Sequence, residues 1–165
     1  MPIRRGVACA SFCLVFSLVL HGPARADTDA RGFERLLPAG VAWKDIPNGR
    51  GVQAAVISGD PGKPGIYVIR AKFPPGIMSS PHTHDEDRYA VVLKGTWYTG
   101  TDADWDPDKT VGLPVGSFMK HPAGAVHFDG AKDEEVIVQI VGMGPSRTSI
   151  LSPAEGDFGT PHKLK

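Results

Sequence analysis

Apolar and polar residues alternate along most of this chain at the two-residue period of a β-strand. The segments "VQAAVIS" (52–58), "IYVIRAKF" (66–73), "YAVVLKG" (89–95), "TWYTGT" (96–101), "GSFMKH" (116–121), "AVHFDG" (125–130) and "EEVIVQIVGMG" (134–144) are short and rich in Val, Ile and aromatic residues. Turn sequences separate them: "SGDPGKPG", "FPPG", "LPVG" and "HPAG". Most of the 15 prolines and 20 glycines stand at these joints. No long amphipathic helical pattern is present, and only "RGFERLL" (31–37) reads as a single helical turn. Short strands at regular spacing in 165 residues predict one all-β domain, a sandwich or barrel. A polar lead-in (27–44) precedes the strand region (45–145), and a polar tail (146–165) follows it. The tail is expected to wrap the outside or to contact a partner subunit.

The first 26 residues break this pattern. Arg4 and Arg5 precede the apolar run "GVACASFCLVFSLVL", and "ARA" (24–26) is an A-x-A cleavage signal. The segment reads as a cleaved signal peptide with Asp27 as the mature N-terminus, which places the protein in the periplasm or outside the cell. The Arg4–Arg5 pair leaves the choice between general secretion and twin-arginine export open.

Removing that segment changes the chemistry available. Both cysteines, Cys9 and Cys13, lie within it. The mature chain therefore has no disulfide, no thiolate metal ligand and no cysteine nucleophile. Three of the 18 basic residues (Arg4, Arg5, Arg25) leave with the signal and none of the 18 acids do, so 15 minus 18 gives −3 with histidine neutral. A weakly acidic chain gives no reason to expect nucleic acid, or a membrane after cleavage, as partner.

The candidate chemistry is carried by "SSPHTHDEDRYAVVLKG" (79–95). In a strand, alternate side chains share a face, so His82 and His84 can reach one cation. Histidines in an H-x-H are common on surfaces, and the pair alone says little. A third histidine, His127, follows the Pro-x-Gly turn of "GSFMKHPAGAVHFDG" and can complete one face of a metal site.

These residues resemble the cupin superfamily. Its first motif runs Gly, five residues, His-x-His, three or four residues, Glu, six residues, Gly; here Gly76, His82, His84 and Gly95 match in register. Its second motif runs Gly, five residues, Pro-x-Gly, two residues, His, three residues, Asn; Gly116, Pro122, Gly124 and His127 match, and Ala131 replaces the Asn. The resemblance covers roughly residues 45–145. It implies a double-stranded β-helix, or jelly-roll barrel, with a divalent transition metal bound by His82, His84 and His127. Iron is the expected ion for oxidative catalysis, with manganese, nickel or zinc as alternatives. It also implies a frequent homodimer, with "EEVIVQIVGMG" offering an edge-to-edge contact.

The departure is Arg88, which stands where the first motif places its glutamate ligand. Arginine stays charged and cannot bind a metal. Three arrangements are open. Arg88 projects into the cavity and clamps an anionic substrate in a three-histidine site. Alternatively, the "DED" loop bends so that Glu86 or Asp87 supplies the carboxylate, with Tyr89 as the ligand in the longer spacing. In the third, Arg88 forms a salt bridge with that loop and the metal is lost or weakened.

The remaining candidates carry plainer readings beside the functional ones. His121 is either a hydrogen-bonding group beside the substrate or an exposed or structurally satisfied histidine. Tyr98 and Phe118 are candidates for substrate binding, although most aromatics near the motifs are core. His162 in the tail is not expected to be a ligand. "DADWDPD" (102–108) has acids at alternate positions but lacks the glycine and glutamate of a calcium loop, so it reads as solvated. The functional expectation is an exported metal enzyme, dioxygenase-like or Lewis-acid, acting on a small anionic substrate with Arg88 as its catalytic cation. The alternatives are a module that binds a metabolite or metal without turnover, and a structural role in which the metal only ties the barrel together.

Overall fold

The computed structural model describes residues 27–164. The proposed signal segment and its cleavage site after Ala26 lie outside the described residues. The described chain forms fifteen strands. Four lead in: β1 (Asp27–Thr28), β2 (Glu34–Arg35), β3 (Lys44–Asp45) and β4 (Gln53–Ser58). The middle comprises β5 (Gly65–Phe73), β6 (Met78–Ser79), β7 (His82–His84), β8 (Arg88–Lys94), β9 (Trp97–Gly100) and β10 (Val111–Leu113). The last five are β11 (Phe118–His121), β12 (Phe128–Gly130), β13 (Val136–Gly144), β14 (Thr148–Ile150) and β15 (Phe158–Gly159).

Two antiparallel sheets make the body. One has the order β11-β8-β13-β5-β4-β3, the other β10-β9-β12-β6-β15. A third pair, β7 with β14, carries two of the motif histidines. Every strand pairing is antiparallel, as expected for a jelly roll. Alternation decides which side chains enter. Along β13, Val136, Val138 and Ile140 are buried, and along β8, Ala90 and Val92. They meet Trp97 of β9, Phe73 of β5 and Ala131 in one apolar core between the sheets. Burial of these side chains, at roughly 1.5–3 kcal/mol for each large one, holds the sheets together.

Several expectations are corrected. The helical turn at 31–37 is instead the hairpin partner β2, and the short 3-10 turn lies just beyond, at Pro38–Gly40, where Pro38 sets the first position. The "DADWDPD" loop is not wholly solvated: Trp105 is buried in a second small cluster with Met78 and Phe128, while Lys109 pairs with Asp104 outside. Segment 134–144 offers no edge for a partner, because β13 is paired on both sides, by β5 and β8. The polar tail does not simply wrap the surface. It returns as β14 along β7 and as β15 along β6.

One row of residues crosses the larger sheet: Tyr67 pairs with Gly142, Gly142 with Arg88, and Arg88 with His121. Directly opposed residues share a face, so this register sends Tyr67, Arg88 and His121 to the same inner side. Gly142 has to be small there. A Cβ at that position would lie 2.3 Å from the Tyr67 hydroxyl oxygen.

Candidate metal centre

His82 and His84 alternate inward on β7, and His127 faces them through a two-way backbone bridge. The His82 amide donates to the His127 carbonyl at 2.9 Å, and the His127 amide donates back at 3.0 Å. The Gly124 amide donates to the His84 carbonyl at 2.8 Å, which docks the Pro-x-Gly turn against β7. All three rings are buried, with centroids 4.3–5.1 Å apart.

Each ring is held by its Nδ1. That atom lies 2.8 Å from the Ser80 carbonyl oxygen in His82, 3.3 Å from that of Arg147 in His84, and 3.1 Å from that of Ala125 in His127. A carbonyl oxygen only accepts, so each Nδ1 carries the hydrogen and each Nε2 presents a lone pair. The Nε2 atoms of His82 and His84 are then two acceptors 3.1 Å apart, and His127 Nε2 is buried without a partner. Three converging lone pairs with no ring hydrogen among them fit a cation. The trio lies within ligand-forming distance of a single ion, so these residues can hold a metal. Burial pushes the pKa of His82 down, helped by the His127 ring, and pushes that of His84 down to about 2, with the Arg88 charge adding to it. Both rings are therefore neutral, the state a metal ligand requires.

Arg88 enters from β8 and meets this group. Its Nη1 donates to His84 Nε2 at 2.9 Å, its Nε to Glu86 Oε1 at 3.0 Å, and its Nη2 to Ser146 Oγ at 2.5 Å. Glu86 Oε1 also accepts from the Tyr67 hydroxyl at 2.7 Å. The Arg88 and Glu86 side chains are 12% and 11% exposed. Burial would raise the Glu86 pKa, but the hydrogen bonds from Tyr67, Ser146 and Arg88 outweigh it, and the carboxyl stays below its ordinary range. Arg88 thus both lines the cavity and bridges to the acidic loop, combining features of two of the three arrangements.

The arrangement in which the loop supplies a ligand is corrected. The Glu86 carboxylate is turned to Tyr67 and Arg88. Asp87 points outward, where it accepts from Lys120 at 2.6 Å and from the Ala123 amide at 2.9 Å. Tyr89 stacks on Phe118 with centroids 6.4 Å apart, on the outer face of the sheet.

Two proposed substrate contacts are corrected for the same reason of strand parity. Phe118 is 60% exposed, three residues before the inward His121 and so on the opposite face. Tyr98 follows the buried Trp97, packs instead on the cluster of Met78, Trp105 and Phe128, and carries the Lys132 ammonium over its ring at 4.4 Å. Neither borders the cavity. His162 lies on the outside near Glu155, at 3.5 Å.

His121 does border it. The side chain is 3% exposed and stacks on His127 with centroids 4.0 Å apart, with Trp97 on another side at 5.5 Å. Both its ring nitrogens are buried without a partner among the described residues. Burial lowers its pKa to about 4. The residues that strand pattern and motifs did not single out are Tyr67, Asp129, Ser146 and Thr148. Asp129 had a readable signal, because it stands two residues after His127 and shares its face.

The cavity holds about 220 Å³. At about 30 Å³ per water, that is room for roughly seven waters or a ligand of few heavy atoms. His82, His84, His121, His127, Arg88 and Asp129 supply polar lining, and Ile69, Phe73, Ile140 and Phe158 supply apolar lining. This is the mixed lining expected of a small-molecule site.

A germin-like protein of Arabidopsis thaliana (subfamily 1 member 7) is 27% identical over 100 residues, 58% of this chain. That stretch spans 44% of the relative's own length. Among solved structures, the polyketide cyclase RemF from Streptomyces resistomycificus superposes with a TM-score of 0.60 at 19% identity, over 74% of this chain and 91% of that one. A cupin-like protein from Thermotoga maritima superposes with a TM-score of 0.50 at 22% identity, over 58% of this chain and 74% of that one. These two likenesses are of fold. Residues 29–146 match the family described as a domain of unknown function, DUF4437. With that match the chain belongs to the DUF4437 family, and its fold is similar to that of the cupins, with the histidine trio in register with both motifs.

Proposed function

We propose that this chain is an exported metal-dependent enzyme acting on a small anionic substrate at the His82–His84–His127 centre. The observation that carries the reading is the common tautomer of the three rings. Each Nδ1 is tied to a carbonyl, and the Nε2 lone pairs converge on one point beside the cavity that all three rings line. A divalent transition ion held there supplies Lewis acidity and open coordination positions for substrate or dioxygen. Iron is the ion proposed for oxidative chemistry, with manganese, nickel or zinc suited to isomerisation or hydrolysis.

The protein's part follows from Arg88. Its Nη1 hydrogen now points at His84 Nε2. When that lone pair is given to an ion, the N–H needs another acceptor, and a carboxylate or enolate oxygen of a bound ligand provides one. Glu86, Tyr67 and Ser146 hold the rest of the side chain in place. His121, neutral and unpartnered beside His127, is positioned to take a proton from the ligand. The small volume and apolar wall favour a compact substrate with one charged end. RemF, a cyclase by name, supports the view that this fold hosts enzymes. The apolar leader of residues 1–26 supports a periplasmic or secreted setting.

Elemental analysis of the tag-free mature protein, beside a His82→Ala/His127→Ala variant, tests the centre. Near-stoichiometric transition metal that is absent from the variant is expected. No metal after reconstitution would sink the reading. A panel of small carboxylates, followed for oxygen uptake and product, then tests turnover. A second reading, a binding module without turnover, rests on the same cavity: Glu86 and Ser146 hold the guanidinium in place beside it, as a site that only captures an anion also needs. Stoichiometric ligand uptake without product would support it.

A further inference from the structure

We propose that His121, Asp129 and His127 form a second position for the same cation, so that one divalent transition-metal ion has two mutually exclusive stations within the cavity. It rests on the reading that His127 is a metal ligand.

The first observation is His121. A wholly buried imidazole normally has at least one nitrogen bonded, yet both of its nitrogens lack a partner among the described residues, and the side chain borders the cavity. The second is its neighbours. One ring nitrogen of His121, one of His127 and a carboxylate oxygen of Asp129 lie within 4.8 Å of one another, all on buried residues. The third is the orientation of Asp129. Its Oδ1 accepts from the Trp97 indole N–H at 3.1 Å, and its backbone amide donates to Ser79 Oγ at 2.9 Å. The other carboxylate oxygen takes no hydrogen bond among the described residues. A carboxylate pinned on one oxygen and open on the other is built as supported ligands are.

Exclusivity follows from His127. Its Nδ1 donates to the Ala125 carbonyl, so only Nε2 can bind, and one lone pair serves one ion. Two ions cannot share it. The balance between stations follows from Arg88. A guanidinium on His84 Nε2 opposes a dication at the first station, whereas Asp129 adds a negative charge at the second. The first station offers three neutral imidazoles, the second two imidazoles and a carboxylate. The latter donor set suits iron(II) and other first-row divalent ions. The carboxylate missing from the first motif is thereby supplied from β12.

Cobalt(II) is the probe, because it is coloured in protein sites and scatters anomalously. Wild-type protein, purified whole and stripped of metal, is crystallised with cobalt(II), and the same ion is titrated into His84→Ala and His84→Ala/Asp129→Asn. An anomalous peak beside His121 and Asp129, alone or with a partial peak at the first trio, is expected. His84→Ala should keep one cobalt per chain, and adding Asp129→Asn should weaken it by more than about 100-fold, beyond the loss expected for a merely supporting group. Asparagine can still accept from Trp97, which preserves the packing. A peak only among His82, His84 and His127, with cobalt lost in His84→Ala, overturns the second station and leaves the first. No peak at either overturns both. Should a variant fail to fold, the wild-type crystals decide.

Discussion

The Arg88 guanidinium donates to His84 Nε2 at 2.9 Å, so a permanent cation occupies the lone pair that the first motif reserves for a metal. Its charge is balanced by Glu86 at 3.0 Å rather than by solvent. Arg88 would thus compete with any ion held by the trio and would neighbour whatever that ion binds.

Arg88→Ala should move two quantities in opposite directions. The Glu86 carboxylate loses its counter-ion in a largely buried setting, and stability should fall by about 3 kcal/mol, read from urea unfolding. Cobalt(II) affinity should rise, because the opposing charge is gone. Weaker cobalt binding in a folded variant would contradict the competition.

Tyr67→Phe removes one hydrogen bond to Glu86, at 2.7 Å, and leaves Arg88 in place. The expected loss is about 1.5–3 kcal/mol, as for a bond to a charged acceptor. Combined with Glu86→Gln, the two losses should not add, since both act on one network. Additivity in a double-mutant cycle would show that the network is not coupled.

Gly142→Ala tests the inner row of the sheet. The new methyl would meet the Tyr67 ring and hydroxyl and push the phenol from Glu86. Overpacking of this kind costs about 1–3 kcal/mol. In the Tyr67→Ala background the same substitution should be far milder, and thermal melts of the two pairs would reveal it.

Acid should destabilise the metal-free chain before its carboxylates titrate. Burial lowers the His121 pKa from 6.5 to about 4, so between these values the unfolded chain binds the proton and the folded chain does not. Folding stability is complete above pH 6.5 and is lost as pH falls through 4, by a limit on the order of 3 kcal/mol. Urea midpoints at pH 7.5 and pH 5, for the wild type and His121→Phe, measure it. The variant should lose less on acidification.

Much of this was readable from the chain. Alternation found the long strands β5, β8 and β13 because each has one buried face, and motif spacing found His82, His84 and His127 because strand and turn geometry fix where they fall. Parity could have gone further. Trp97 and Tyr98 cannot both face the core, and Phe118 cannot share a face with His121. What the spacing could not convey was pairing across the fold. Arg88 meets Ser146 only because β8 and the residues after β13 converge, and "TSI" (148–150) is too short and polar to announce a strand. Its ladder exists because β7 has a free edge to offer.

Arg147 and Thr148 reach His84 Nδ1 across 63 and 64 residues of sequence. Until that stretch is laid beside β7, His84 Nδ1 lacks its carbonyl, and only Arg88, on the other ring nitrogen, favours this tautomer. An ion held by the fully braced trio would therefore come late in folding, after the tail has been laid down, and would mark a chain that has finished.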